Sequence, residues 1–234
     1  LTDHNAALLA ELPCTDRYCG NFISTDQFEI ILNKVKNTDL YTPVFLAGTM
    51  GLRRSEVLGL RWSDINFETQ TMCIQHTVVK CIKDHKITLV FSDFPKTRAS
   101  RRTLPLPSGV LRYLKELRRR QCDNYTAHRD KYSREYLKYI CVDDMGLIVK
   151  PDDLSVGFGR IMAEMNFHCR FHDLRHTCAS LLVQHGVELK SVSVWLGHSS
   201  IAVTSDIYTH LTYREKLKVA ETIDEYMKDV NVSP

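Results

Sequence analysis

The sequence predicts a mainly helical α+β domain that carries one small antiparallel sheet. Apolar residues recur at helical spacing along most of the chain. β-branched apolar runs are confined to a stretch between residues 71 and 106. No internal repeat or low-complexity tract interrupts this pattern. The 234 residues are 44% hydrophobic and 25% charged, enough for one large domain with an ample core. The low hydrophobicity and large net charge of a disordered chain are both absent.

Residues 1–20 contain Pro13, Cys14, Asp16 and Gly20 and read as a linker or the end of an upstream module. FISTDQFEIILNKVKN opens the first helix; Ser24 or Thr25 can cap it, and Phe28, Ile31 and Val35 follow at helical spacing. TPVFLAGTM predicts a second helix. A third begins after Gly51, with Val57, Leu58 and Leu60 on its apolar side. Residues 71–79, 87–91 and 103–106 read as strands of one antiparallel sheet. Helices return at 108–121, about 153–165, 172–185 and 189–196. A last helix over about 213–229 has Leu217, Ala220, Ile223, Met227 and Val230 along one apolar face.

No apolar run approaches the ~18 residues of a membrane-spanning helix. The start lacks the basic and long apolar regions of a signal peptide. Eight cysteines form no C-x-x-C pair, so reduced thiols are expected. The first residue is Leu1 rather than Met, so the sequence is expected to be part of a longer protein with an upstream domain.

The net charge is only +3, but it is unevenly spread. From Lys96 to Arg120 there are nine basic residues against one acid, Glu116. Such a run is either a solvated helix face or a surface that tracks phosphates. Arg98, Arg101, Arg102, Arg118 and Arg119 are the DNA-binding candidates within it.

Three segments could carry chemistry. His172 and Arg175 lie three apart on one helix, with His198 and Tyr208 downstream. An Arg holds two phosphate oxygens in a planar fork, and a His exchanges protons near neutral pH. Arg53 and Glu56 are also three apart. Their spacing fits a surface salt bridge, or an Arg clamp held by a supporting acid. Lys96 lies between two strands, where a lysine is either solvated or placed to protonate a leaving oxygen.

Together these segments resemble the catalytic domain of the tyrosine recombinases, in particular phage and conjugative-transposon integrases. The likeness rests on Gly51-Leu52-Arg53 with Glu56, on Lys96, on His172 with Arg175, on Leu196-Gly197-His198, and on Thr204, Tyr208 and His210. The motifs stand in family order and span residues 21 to about 212. Met50 replaces a common Thr, and Lys80, Lys83 and Lys86 are alternatives to Lys96. The resemblance implies a tyrosine recombinase catalytic-domain fold over residues 21–234, the last helix docking on a neighbouring protomer. It implies site-specific cleavage of double-stranded DNA through a 3′-phosphotyrosyl intermediate, without metal, nucleotide or other cofactor.

Under that resemblance Tyr208 is the nucleophile, Arg53 and Arg175 neutralise the scissile phosphate, and His172 is the base. His198 donates to a phosphate oxygen, Lys96 protonates the leaving 5′-oxygen, and Glu56 orients Arg53 or its neighbours. The implied partners are recombination-site DNA and further copies of the chain, monomeric alone and tetrameric on DNA. The implied setting is the bacterial cytoplasm at the nucleoid, with no membrane. Rival readings are a type IB topoisomerase, a DNA-binding relative that has lost catalysis, and a zinc site at His168, His172 and His176.

Overall fold

The computed structural model describes residues 23–83, 86–93 and 101–197. The segment 1–20, the Lys96–Ser100 stretch, His198, Tyr208 and the 213–229 helix lie outside the described residues.

Helix α1, Thr25–Val35, starts where its cap was expected. The Ser24 hydroxyl accepts the Gln27 N–H at 3.2 Å, and the Gln27 side chain accepts the Ser24 N–H at 2.9 Å. Phe28, Ile31 and Val35 are its buried face. Helix α2, Tyr41–Met50, is apolar all round and buried on most of its surface, as a central helix must be. A Cβ on Gly48 would come within 2.2 Å of the Phe28 ring, so the missing side chain lets α1 close on α2.

Short α3, Arg54–Gly59, is followed by a 3₁₀ turn at Trp62–Asp64. Strands β1 (Ile65–Asn66), β2 (Thr71–Ile74) and β5 (Arg102–Pro105) make an antiparallel sheet in the order β1-β2-β5. Strands β3 (Thr77–Lys83) and β4 (Lys86–Ser92) form a separate hairpin. The expected single strand over 71–79 is therefore divided. The break falls at Gln75 and His76, whose side chains turn to other partners. Gln75 Nε2 donates to Asp64 Oδ1 at 2.8 Å, while buried His76 lies 2.7 Å from Asp93 Oδ1 and 3.1 Å from Tyr139 Oη.

Helix α4, Ser108–Ala127, runs six residues beyond its predicted end, because nothing in RRRQCDNYTA breaks a helix. Val110, Leu111, Leu114 and Leu117 are buried, which leaves its arginines outward. Helix α5, Pro151–Glu164, begins two residues early on Pro151, with Asp152 and Asp153 in its first turn. Helices α6, Asp173–Gln184, and α7, Leu189–Leu196, follow the expected bounds closely. One apolar core gathers α1 to α5, the sheet and the start of α6. A small cluster of Ala179, Val183, Val192 and Leu196 joins α6 to α7. No described helix is long and apolar enough to cross a membrane.

Candidate active site and its relatives

The site is built around one carboxylate. Glu56 is the third residue of α3, one turn from Arg53, and its Oε2 accepts the Arg53 backbone N–H at 2.9 Å. The Arg-x-x-Glu spacing thus closes the helix end, where backbone donors lack partners. Oε1 accepts Arg53 Nη1 at 2.7 Å. Glu56 is only 2% exposed, so this pair is not a surface salt bridge.

Two further arginines reach the same carboxylate. Arg102, from β5, donates Nη1 to Oε1 at 3.2 Å and Nη2 to Oε2 at 3.0 Å. Arg175, from α6, brings Nη1 to 4.0 Å from Oε2. Burial alone would raise the Glu56 pKa. The bonds and charge of Arg102, joined by those of Arg53, outweigh it and hold the carboxyl below its usual range.

The three arginines also meet the C-terminal end of α7. Arg102 Nε donates to the Trp195 carbonyl at 2.8 Å, Arg175 Nη2 to Leu196 at 2.7 Å and Arg53 Nη2 to Gly197 at 2.9 Å. The last carbonyls of a helix lack intrahelical donors and carry its negative pole, so three cations there satisfy both demands. Arg175 Nη1 also holds the Gly51 carbonyl at 2.7 Å, and Trp195 Nε1 holds that of Met50 at 3.1 Å. The ends of α2 and α7 are thereby strapped together. Burial pulls Arg175 down to about 9, helped by Arg53 and opposed by Glu56; it remains a cation at neutral pH.

Gly51 makes this junction possible. Its φ is +67°, and a Cβ there would lie 2.3 Å from Leu196 Cδ2. Gly51→Ala is expected to lose about 1–2 kcal/mol from the left-handed backbone alone. The displaced Leu196 adds to that loss, and urea unfolding measures the total.

His172 precedes α6, and its carbonyl accepts the Arg175 N–H at 3.1 Å, so the two groups keep their three-residue relation. Its ring packs edge-on against His176 at 5.2 Å. Burial first, then the neighbouring His176 and Arg175, push His172 down to about 4, so it is neutral near pH 7 and can accept a proton. Among the described residues no three ligand-type side chains gather as a metal site.

Arg53 and His172 line a cleft of about 570 Å³ that also receives Arg54, Ser155 and Arg170. Arg54 is held by Ser155 and Pro151. No carboxylate is among its described lining residues. Arg54 and Arg170 were not singled out by motif; each stands within two residues of one that was, which is the signal available. Arg175 lies behind this cleft rather than in its wall.

The basic run behaves unevenly. Arg102, expected among the DNA-facing arginines, instead points inward and is 7% exposed. Glu56 and the Trp195 carbonyl occupy its fork, and this corrects the surface reading. Arg101 is exposed. Arg118 stacks over Trp62 and Phe67 at 5.7 and 5.6 Å. Arg119 pairs with Glu116 and Asp123. Arg98, like Lys96, His198 and Tyr208, lies outside the described residues. The last described residue before the Lys96 segment, Asp93, is tied to His76 and Arg61.

The description "Phage integrase family" matches residues 21–215. A protein described as "Tyrosine recombinase XerC-like" from Caldanaerobacter subterraneus subsp. tengcongensis is 33% identical over 208 residues, covering 86% of this chain and 53% of that protein. The transposase from transposon Tn916 of Enterococcus faecalis is 25% identical over 179 residues, covering 74% and 42%. The chain spans about half the length of these curated relatives. Among solved structures, the Tn1549 transposon integrase in complex with transposon right end DNA superposes with a TM-score of 0.69 at 20% identity, over 95% of this chain and 71% of that one. The lambda integrase tetramer bound to a Holliday junction gives 0.60 at 17%, over 88% and 52%. With the match running through most of its length, and with the fold of tyrosine recombinase catalytic domains, the chain belongs to the phage integrase family.

Proposed function

We propose that this domain cleaves and rejoins double-stranded DNA at specific sites by covalent catalysis on a tyrosine. The observation that carries the reading is the cationic cleft. Arg53 and His172 line it, Arg175 stands behind it, and one buried carboxylate orders the arginines. Such a site suits a phosphodiester whose non-bridging oxygens gain charge as a nucleophile attacks.

The steps follow from residue chemistry. The Tyr208 phenol has a reference pKa of about 10 and must lose a proton to attack phosphorus. His172, held neutral by burial, accepts that proton. A phosphate anion beside it opposes the depression of its pKa and favours the transfer. The P–O bond to Tyr208 forms as the bond to the 5′-oxygen breaks. Lys96 protonates the leaving oxygen, and His198 donates to a non-bridging one. The 3′-phosphotyrosyl bond conserves the energy of the phosphodiester, so a 5′-hydroxyl from a partner duplex rejoins without a nucleotide cofactor. Relatives solved on DNA, including a tetramer on a Holliday junction, support DNA as the partner and assembly on it.

A suicide duplex, nicked so that the freed strand diffuses away, tests the reading. A covalent adduct mapped to Tyr208 is expected without added metal, and none with Tyr208→Phe. An adduct that survives in that variant overturns the assignment. Lys96→Ala is expected to slow cleavage of the natural ester far more than of a substrate with sulfur at the leaving 5′-position, because a thiolate leaves without a proton. Equal losses on both substrates would remove Lys96 as the acid.

A further inference from the structure

We infer that Arg102 is a positioning residue of the active site, acting through Glu56 and the C-terminal end of α7 rather than on DNA. This rests on the strand-cleavage reading for its consequence, but its geometry stands apart from that reading. Arg102 ends a connection between strands, a place where arginines are ordinarily solvated. Here its fork spans both Glu56 oxygens while Nε holds the Trp195 carbonyl.

One guanidinium therefore bridges β5, α3 and α7. No other side chain among the described residues makes hydrogen bonds to both the Glu56 carboxylate and the Trp195 carbonyl. The planar fork with five donors is what permits this; an ammonium has no such fixed geometry. The three elements carry the proposed machinery or lead into it. Arg53 immediately precedes α3, and Glu56 lies within it. The chain runs from Gly197 straight into His198, and Lys96 lies six residues before Arg102. Losing the bridge leaves Glu56 short of its strongest partner and frees the α7 end from β5. Arg53, which shares both Glu56 and the α7 terminus, then loses its register with the cleft.

Two measurements on the 234-residue chain decide the matter, using Arg102→Met, Arg102→Lys and the charge-compensated Arg102→Met/Glu56→Gln. The first is hydrogen exchange without DNA. Faster exchange is expected at the α7 end in Arg102→Met, with α4 and α5 unchanged. Exchange that is unchanged at α7, or faster everywhere, overturns the proposal. The second is single-turnover adduct formation beside DNA affinity across a salt series. A misplaced active site loses on the order of 100-fold in rate, with Kd and its salt dependence held. The lysine variant should be intermediate, and the double variant should lose little more than Arg102→Met, because both act through one carboxylate.

If Kd instead weakens and the salt slope falls by about one, Arg102 is a phosphate contact and the inference is wrong. If the unsubstituted chain forms no adduct, the strand-cleavage reading fails. The exchange result then still decides whether Arg102 anchors α7.

Discussion

Glu56→Ala is expected to destabilise the domain by about 3–5 kcal/mol, the usual cost of removing one partner from a buried ionic group. Three guanidiniums meet at this carboxylate, and two of them are almost entirely shielded from water. Without it, Arg102 and Arg175 remain buried and repel each other and Arg53. Urea unfolding measures the loss, and each kcal/mol lowers Tm by about 2–4 °C in a chain of this size. The pH dependence has a definite sign. The folded-state pKa of Glu56 lies below its ordinary value, so its stabilisation is fully present above the unfolded value of about 4.3. It is lost as pH falls through the folded-state pKa. The gap between parent and Glu56→Gln should therefore close on acidification. A gap that persists unchanged well below pH 4 would show that the charge of Glu56 is not what matters.

Arg175→Ala is expected to lower single-turnover cleavage by ~10²–10³-fold, the range found when one positioned donor is removed from a charged transition state. Arg175 adds a positive charge to those of Arg53, Arg54 and Arg170 in the cleft wall, and it also clamps the Gly51 and Leu196 carbonyls. Arg175→Lys separates the two roles. It keeps the charge, but a lysine cannot hold two carbonyls with one rigid fork. Lysine should leave cleavage depressed at least about tenfold. Full activity in Arg175→Lys would mean that charge alone is needed and that the clamp is incidental.

Much of the fold was legible in local pattern. Ser24, one of two possible caps beside Thr25, marks the start of α1, and the apolar spacing of Phe28, Ile31 and Val35 matches its buried face. Helix α7 begins and ends where its sequence predicts, closed by Gly197 in the left-handed conformation. The run 71–79 reads as one strand because most of its residues are β-branched or apolar. What divides it is His76, whose partners Asp93 and Tyr139 lie 17 and 63 residues away. Periodicity holds no record of such contacts. The same blindness placed Arg102 on the surface, since composition reports a charge but not the side of the strand on which it is buried.

The order and residue types of the motifs are legible in the chain without its fold. The sequence pairs Arg53 with Glu56 and His172 with Arg175 at one helical turn, because a turn is a local repeat that spacing reveals. Tertiary packing set the surroundings of those pairs. It buried Glu56, brought Arg102 and Arg175 from distant segments to join Arg53 on it, and set the three guanidiniums on the consecutive carbonyls of Trp195, Leu196 and Gly197. Charge repulsion and desolvation are settled only when distant segments pack. The spacing therefore left Arg53 and Glu56 open to a surface salt bridge or a clamp, and burial resolved the choice.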